Sequence, residues 1–211
     1  MTSLDQVVAL NRAQQQSETD RFTVRRYQQF VRHFPAGTRD VLDVGCNTGR
    51  GGSVMKALVP TLRLTGIDCV PERVAALDPL VYSENICGSA DKIPLASDSF
   101  DAIVSGEFLQ ALPPDVVNGT LCEFFRLLKP KALLLLTTPN PHYLKNKFSG
   151  SSVLGGAHLS QHYPENLRRR LRDIGFSGVK VRGSGQVSSI IGERFPFRSV
   201  YGSYLVRARK W

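Results

Sequence analysis

The sequence alternates short apolar runs with segments of helical periodicity, and this alternation limits the possible folds more than any other feature. Strand-sized apolar runs occupy residues 40–44, 62–67, 100–105 and 132–138, and helix-forming stretches follow most of them. Strands that alternate with helices form a mostly parallel sheet with helices on both faces. The pattern therefore predicts an α/β fold with a doubly wound, Rossmann-like sheet.

The carboxyl-terminal part of the chain breaks this alternation. The apolar runs at 179–182 and 201–209 have no convincing helix between them, only a stretch at 184–199 that is typical of an inserted loop. We therefore expect a closing antiparallel hairpin. With a further strand candidate at 81–87, the sheet is predicted to have seven strands and to be mostly parallel, with an antiparallel last strand.

The two ends of the chain are predicted to differ in organisation. Residues 1–38 are mostly polar and permit a helix, so we predict an amino-terminal helical cap. Residues 39–211 are predicted to form one compact domain, which suits a chain of 211 residues. Within that domain, residues 139–163 are rich in Gly, Ser and Asn, and we expect a flexible loop that covers the site as a lid.

The sequence shows no sign of a membrane span, a secretory signal or a metal site. Its longest apolar run, 132–136, is far shorter than the roughly 18 residues that a span requires, and its first residues lack the order of a signal peptide. Cys46, Cys69, Cys87 and Cys122 are widely separated and have no histidine at metal-ligand spacing. We expect a soluble, cytoplasmic protein with reduced thiols and no bound metal.

The charge is strongly basic, with 27 Lys and Arg against 18 Asp and Glu, a formal net charge of +9. Such a charge favours an anionic partner, although plain solubility explains it equally well. In the helix candidate at 165–174, Leu167, Leu171 and Ile174 form an apolar stripe. We therefore expect the arginines at 168, 169, 170 and 172 to point outward as a solvated face.

The most specific local feature is the sequence VLDVGCNTG at residues 41–49. A strand that runs into a glycine-containing turn at the start of a helix brings backbone N–H groups close to an anionic ligand. Asp68 ends the next apolar run, where a carboxylate can accept the hydroxyls of a ribose. The alternative interpretation is a tight turn without a ligand.

Two common nucleotide motifs do not fit this turn. A dinucleotide site needs G-x-G-x-x-G, but Asn47 stands where the second glycine belongs. A phosphate-binding loop ends in G-K-[ST], but here Gly49 is followed by Arg50.

Residues 41–49 instead resemble the D-x-G-x-x-x-G turn of class I S-adenosylmethionine-dependent methyltransferases, and the similarity extends from about 39 to 180. Residues 66–70 (GIDCV) resemble the ribose-binding strand end, and 88–101 are similar to the segment that caps the adenine. Residues 105–112 (SGEFLQAL) resemble the motif beside the transferred methyl, and 123–129 resemble the lead into the fifth strand. These motifs lie in order, and the chain is identified as a type 11-like, small-molecule member of that class.

The resemblance implies S-adenosyl-L-methionine as cofactor and a set of residues around it. The glycine turn is expected to meet the methionine part, the carboxylate at 68 the ribose, the segment at 90–91 the adenine edge, and residues 107–108 the methyl. The residues so implied are Asp43, Gly45, Cys46, Asn47, Gly49, Asp68, Cys69, Ala90, Asp91, Glu107 and Phe108.

Histidines in the predicted lid are the candidates for catalysis. His142, His158 and His162 lie there, and histidine, with a pKa of about 6.5 in model peptides, suits a general base. We predict His158 as the base for a hydroxyl acceptor and His142 as the other candidate. Each of them is also explained as a surface or capping residue, and a carboxylate or neutral amine acceptor needs no base.

The acceptor itself is predicted only as a class: a small metabolite, sugar or lipid-like molecule, possibly anionic, methylated on a hydroxyl, carboxylate or amine. The basic charge keeps an RNA or other nucleic-acid methyltransferase as an alternative. That alternative is weakened because residues 105–108 (SGEF) are not [DN]-P-P-[YF] and no cysteine follows a proline. A cofactor-binding protein without catalysis is the third class.

Overall fold

The computed structural model describes residues 4–14 and 22–211. Its α-helices are α1 (Leu4–Arg12), α2 (Phe22–His33), α3 (Arg50–Leu58), α4 (Pro71–Ala75), α5 (Pro114–Leu127), α6 (Leu144–Ser149), α7 (Pro164–Ile174) and α8 (Ser188–Ile191). Its strands are β1 (Asp40–Val44), β2 (Arg63–Asp68), β3 (Tyr82–Cys87), β4 (Phe100–Gly106), β5 (Leu128–Pro139), β6 (Phe176–Ser184) and β7 (Ser203–Lys210). Short 3₁₀ turns occupy Leu109–Ala111 and Arg198–Val200.

The seven strands form one sheet in the order β3-β2-β1-β4-β5-β7-β6. Strands β1 to β5 are parallel, whereas β7 runs antiparallel to both of its neighbours. The predicted doubly wound, mostly parallel sheet with an antiparallel last strand is confirmed. In such sheets ligands bind beyond the carboxyl ends of the strands.

The side chains of β5 explain why its sequence is apolar without interruption. Leu134 and Leu136 pack into the core on one face of the sheet, and Leu133 and Leu135 pack into the core on the other. Alternate residues of a strand point to opposite faces. Because helices cover both faces, every position from Ala132 to Thr138 is buried, as is typical of parallel sheets.

Strand β5 starts at Leu128, before the predicted run at 132–138. Leu128 pairs with Phe100, the register then shifts, and Leu133 pairs with Ala102. Lys131 lies in this irregular stretch with φ of 66°. An irregular stretch of this kind tolerates Pro130, which has no N–H to donate. Because a proline argues against a strand in the sequence alone, this start of the strand was not predicted.

The two predicted loops contain structure. The segment 139–163 includes α6 and an antiparallel bridge between Gly155 and His158. The segment 184–199 includes α8 and the start of a 3₁₀ turn. On α7, Leu167 and Leu171 are buried as expected, but only two of the four arginines are exposed, and those at 168 and 170 are half-buried.

The amino-terminal helices lie against the sheet at its carboxyl edge. Helix α2 packs on α3 and also contacts β4. Helix α1 is held by Arg73, which donates to the backbone oxygens of Asn11 and Gln14 (3.0 Å for the latter). The predicted cap at 1–38 includes residues outside the described ranges.

No helix among the described residues is long and apolar enough to cross a membrane. Within the same residues, no group of three or more His, Cys, Asp or Glu side chains is placed to hold a metal ion. The four cysteines are free thiols.

Candidate active site

Two neighbouring cavities lie at the carboxyl edge of the sheet, where β1, β2 and β4 end. The larger, which we call the main cleft, has a volume of about 430 Å³ and is lined by residues from α2, the glycine turn, the end of β4 and the segment around His158. The smaller, which we call the adenine cavity because the resemblance implies the adenine there, measures about 30 Å³ and lies between the ends of β1 and β2 and α1. Gly45 lines both.

The glycine turn is fixed to the neighbouring strand and cannot carry larger side chains. The N–H groups of Gly45 and Cys46 both donate to the carbonyl of Ile67, at 2.9 and 3.1 Å. Gly45 has φ of 72°, and a Cβ there would lie 2.5 Å from the Phe108 ring. Asn47 adopts φ of 51°, a value that asparagine tolerates better than most residues. The turn therefore presents bare backbone to both cavities.

Asp68 lies at the end of β2, on the wall of the adenine cavity. One carboxylate oxygen accepts the N–H of Asn47 and the other the N–H of Val70, both at 3.0 Å, and Arg73 is 4.0 Å away. Burial raises the pKa of Asp68 above its ordinary value, although the bond from Val70 and the charge of Arg73 oppose this rise. Because a carboxylate has about four acceptor positions, the group keeps capacity for further donors.

Asp43 lies beneath the turn and outside the residues that line either cavity. Its two carboxylate oxygens accept the hydroxyls of Tyr27 and Tyr82, each at 2.7 Å. The Tyr82 oxygen in turn accepts the N–H of Gly52 at 3.1 Å. Burial raises the pKa of Asp43 to about 6, in spite of the two tyrosine bonds.

Two glycines make this buried network possible. A Cβ at Gly51 would overlap the Tyr27 ring, and a Cβ at Gly52 would overlap the Tyr82 ring. Asp43, which the sequence placed in the cofactor site, thus connects α2, β3 and the start of α3 from below the turn. The contacts of both tyrosines with Asp43 were not predicted, because a sequence does not show which distant segments meet under a turn.

The remaining walls of the adenine cavity come from several segments. Cys69 and Ala90, which were predicted to contact the adenine, line it together with Phe108, which was predicted to lie beside the methyl, and Val7 and Asn11 of α1 cover it. Its volume is about that of one water molecule, so an adenine requires α1 or these side chains to move. The lining does not include Asp91, whose carboxylate accepts the Ser89 hydroxyl and packs near Gly119.

Glu107 stands on the wall of the main cleft in a constrained conformation. Its φ is 55°, and its N–H donates to the carbonyl and the hydroxyl of Thr137, at 3.0 and 3.1 Å. The side-chain Oε1 lies 3.7 Å from Nε of Arg26. This oxygen is buried and accepts no hydrogen bond from the described residues. It is therefore available to a positively charged donor of a ligand.

His158 is the histidine that the structure brings to the main cleft. Its Nδ1 lies 2.8 Å from the carbonyl of Val153. A carbonyl can only accept, so Nδ1 carries the proton and Nε2 is the acceptor in the neutral ring. The backbone next to it is fixed, because the N–H groups of Leu159 and Ser160 both donate to the carbonyl of Gln110.

The other two histidines lie elsewhere. His142 is half-exposed, 3.7 Å from Glu165 and edge-on to Tyr163, and it does not line the cleft. His162 is buried against the Ser160 hydroxyl at 3.0 Å, and burial lowers its pKa. Both make contacts typical of structural residues.

Comparison with known proteins agrees with this geometry. Residues 42–136 match the family described as "Methyltransferase domain". The crystal structure of a SAM-dependent methyltransferase from Archaeoglobus fulgidus superposes with a TM-score of 0.69, at 20% identity, over 89% of this chain and 92% of that one. Residues 42–136 are thus the domain of a class I S-adenosylmethionine-dependent methyltransferase. The cofactor of this family is S-adenosylmethionine, and the type 11 group predicted from the sequence is confirmed.

Two curated relatives are similar to this chain over part of their length. A malonyl-[acyl-carrier protein] O-methyltransferase from Laribacter hongkongensis is 30% identical over 161 residues, which are 70% of this chain and 52% of the relative. A fatty-acid O-methyltransferase from Mycolicibacterium smegmatis is 26% identical over 129 residues, 60% of this chain and 46% of the relative. The chain thus spans about half the length of these relatives.

Proposed function

We propose that the chain transfers the methyl group of S-adenosylmethionine to a carboxylate oxygen of a small or acyl-chain acceptor. The observation that carries this proposal is the charge of the main cleft. Arg26 and Arg50 line it, and Glu107, whose Oε1 lies 3.7 Å from Nε of Arg26, is the only carboxylate among its described lining residues. An anionic acceptor is attracted to such a wall.

The cofactor is proposed to lie across both cavities. Asp68 would accept the ribose hydroxyls, Cys69 and Ala90 would contact the adenine, and the backbone of the glycine turn would meet the methionine part. The buried Oε1 of Glu107 would accept the methionine ammonium, since a buried carboxylate oxygen without a hydrogen bond is costly. Asp91 would join the adenine site only after its carboxylate turns from Ser89.

The residues of the chain have a limited task in the reaction. S-adenosylmethionine, when bound, supplies a methyl carbon activated by the sulfonium, and the acceptor oxygen takes it as the S–C bond breaks. The cleft must hold the acceptor oxygen about 3 Å from that carbon and keep water out. A carboxylate is already deprotonated at neutral pH, so no base is needed and the arginines position it.

The names of the two curated relatives support an oxygen acceptor. They are named for O-methylation of malonyl-[acyl-carrier protein] and of a fatty acid. Malonyl and fatty-acid groups both carry carboxylates, which suits the cationic cleft.

A hydroxyl acceptor is the second candidate, and the orientation of His158 favours it. With Nδ1 bonded to the carbonyl of Val153, the neutral ring presents Nε2 as an acceptor. A base of this kind can take the proton of a hydroxyl as the oxygen attacks.

The test is methyl transfer from labelled cofactor to two panels of compounds, carboxylic acids and their alcohol analogues. A carboxylate acceptor gives a methyl ester, from which alkali releases the label as methanol. A hydroxyl acceptor gives an ether, and an amine gives a methylamine, both of which retain the label in alkali. Label found solely in alkali-stable products would contradict the carboxylate proposal, and the ether would support the second candidate.

A further inference from the structure

Exposed apolar side chains concentrate on one part of the surface. Seven of the twelve large apolar residues that are exposed among the described residues lie in the segments 144–154 and 190–197. Of these seven, Phe148, Ile190 and Phe197 are the most exposed, at 85%, 75% and 67%. Single exposed apolar residues are ordinary, but a concentration of this kind marks an interaction site.

The two segments form one continuous surface. Helix α6 contacts the 3₁₀ turn at Arg198–Val200, next to Phe197. The side chain of Asn140 ties them together, because its Nδ2 donates to the carbonyls of Arg198 and Tyr201 at 3.0 and 2.9 Å. The rings of Phe195 and Phe197 are 5.7 Å apart.

Positive charges lie among these apolar side chains. Lys145, Lys147, Arg194 and Arg198 are all exposed, and none makes an ion pair with another described residue. The only carboxylate in the same part of the chain is Glu193. We call these four cations, with Phe148, Ile190 and Phe197, the basic–apolar surface.

Glu193 supplies one negative charge against the four cations. It turns inward, where its carboxylate accepts Nε2 of Gln29 at 2.7 Å and faces Nε2 of His33 at 3.0 Å. Burial raises its pKa, but the bonds from His33 and Gln29 outweigh burial and lower it to about 2. The outward field of the surface is therefore cationic.

We propose that the basic–apolar surface binds the interface of an anionic lipid bilayer. Large apolar side chains that protrude from several short elements enter the headgroup region, and the surrounding Lys and Arg side chains meet anionic headgroups. A docked protein would instead need a surface shaped to it, which three separate protruding side chains do not provide.

A second cleft opens beside this surface. It measures about 430 Å³ and is lined by Lys145 and Asn146 of the first segment on one side and by Gln186 and Val187, which precede the second segment, on the other. Arg26 lines this cleft and the main cleft as well. An amphiphilic acceptor that leaves the bilayer would therefore enter beside the site proposed for methyl transfer, although binding to the bilayer does not depend on that function.

The experiment is co-sedimentation of the full chain with vesicles of phosphatidylcholine alone or mixed with phosphatidylglycerol. We expect binding to the mixed vesicles and little to phosphatidylcholine, with a decrease at high salt because exposed charges are screened. Each cation near an anionic surface contributes roughly fivefold to partitioning. The double variant Lys145→Ala, Lys147→Ala should therefore bind at least tenfold more weakly, and Phe148→Ser, Phe197→Ser should also reduce binding.

Two matched variants test whether the effect belongs to this surface. Arg169→Ala, Arg172→Ala removes two exposed charges from α7, and Leu80→Ser removes an apolar side chain that is 84% exposed. Both should bind like the unaltered chain. The proposal is overturned if the unaltered chain does not bind mixed vesicles, or if the matched variants lose as much binding as the variants of the surface. If the unaltered chain does not bind, an acidic protein is the alternative occupant. Methyl transfer is not the readout, so a failure here is separate from a failure of the proposed function.

Discussion

The buried carboxylate of Asp43 gives a prediction whose magnitude follows from its surroundings. Its pKa is raised from 3.8 to about 6 because burial outweighs the hydrogen bonds from Tyr82 and Tyr27. The folded protein therefore binds this proton more tightly than the unfolded chain does. Each factor of ten in proton affinity is worth about 1.4 kcal/mol, so the protonated group favours the folded state by about 3 kcal/mol relative to the ionised group.

The sign of the pH dependence is fixed by the direction of this shift. The contribution is complete below about pH 4, decreases as the pH rises through about 6, and is absent above it. Asp43→Asn keeps the shape of the side chain but cannot titrate. The free energy of unfolding of the unaltered chain, minus that of Asp43→Asn, should fall by about 2.5 kcal/mol between pH 4 and pH 7.5.

Urea denaturation followed by far-UV circular dichroism measures this difference, because all other titrating groups are common to both proteins. Tyr82→Phe is the companion variant, since it removes one donor to the carboxylate. This variant should move the fall in stability to higher pH and lower the free energy of unfolding by about 1.5–3 kcal/mol at neutral pH. A difference between the unaltered chain and Asp43→Asn that stays constant over this pH range would refute the reasoning.

Three further changes test the cofactor site, the glycine turn and the main cleft. Asp68→Ala should weaken binding of S-adenosylhomocysteine at least tenfold by calorimetry, since it leaves ribose hydroxyls unpaired; an unchanged dissociation constant would place the ribose elsewhere. Gly51→Ala should cost about 1–3 kcal/mol of stability because its Cβ overlaps the Tyr27 ring. A second change, Tyr27→Leu, should restore part of the lost stability. Unchanged stability in Gly51→Ala would show that the ring moves freely. His158→Ala should lower turnover of a hydroxyl acceptor roughly 10²-fold but affect a carboxylate acceptor much less, with cofactor affinity unchanged in both cases; equal losses for the two acceptors would exclude a role as base.

The strands of the sheet were predictable because a strand that is buried on both faces has an uninterrupted apolar sequence. Leu133 to Leu136 are all apolar because both faces of β5 are covered. The start of β5 was not predictable, because its Pro130 lies in an irregularity that depends on pairing with β4. Local sequence does not contain that pairing.

The cofactor site was predictable where a single turn or a single strand end forms it, as at Gly45 and Asp68. It was not predictable where distant segments meet. Val7 of α1 covers the adenine cavity, but α1 is short and its sequence contains no sign of that contact. The histidines show the same limit: His142 and His158 lie in one segment, and only the backbone bonds to Gln110 place His158 in the cleft.

The tight packing under the glycine turn also constrains how this family can diverge. The Tyr27 ring occupies the space that a side chain at 51 would need, and the Tyr82 ring occupies the space beside 52. A relative that gains a larger residue at either glycine must therefore lose ring volume at the matching tyrosine. Side-chain volumes at positions 27 and 51 should change in opposite directions during evolution, and so should those at positions 82 and 52, although neither pair is close in sequence.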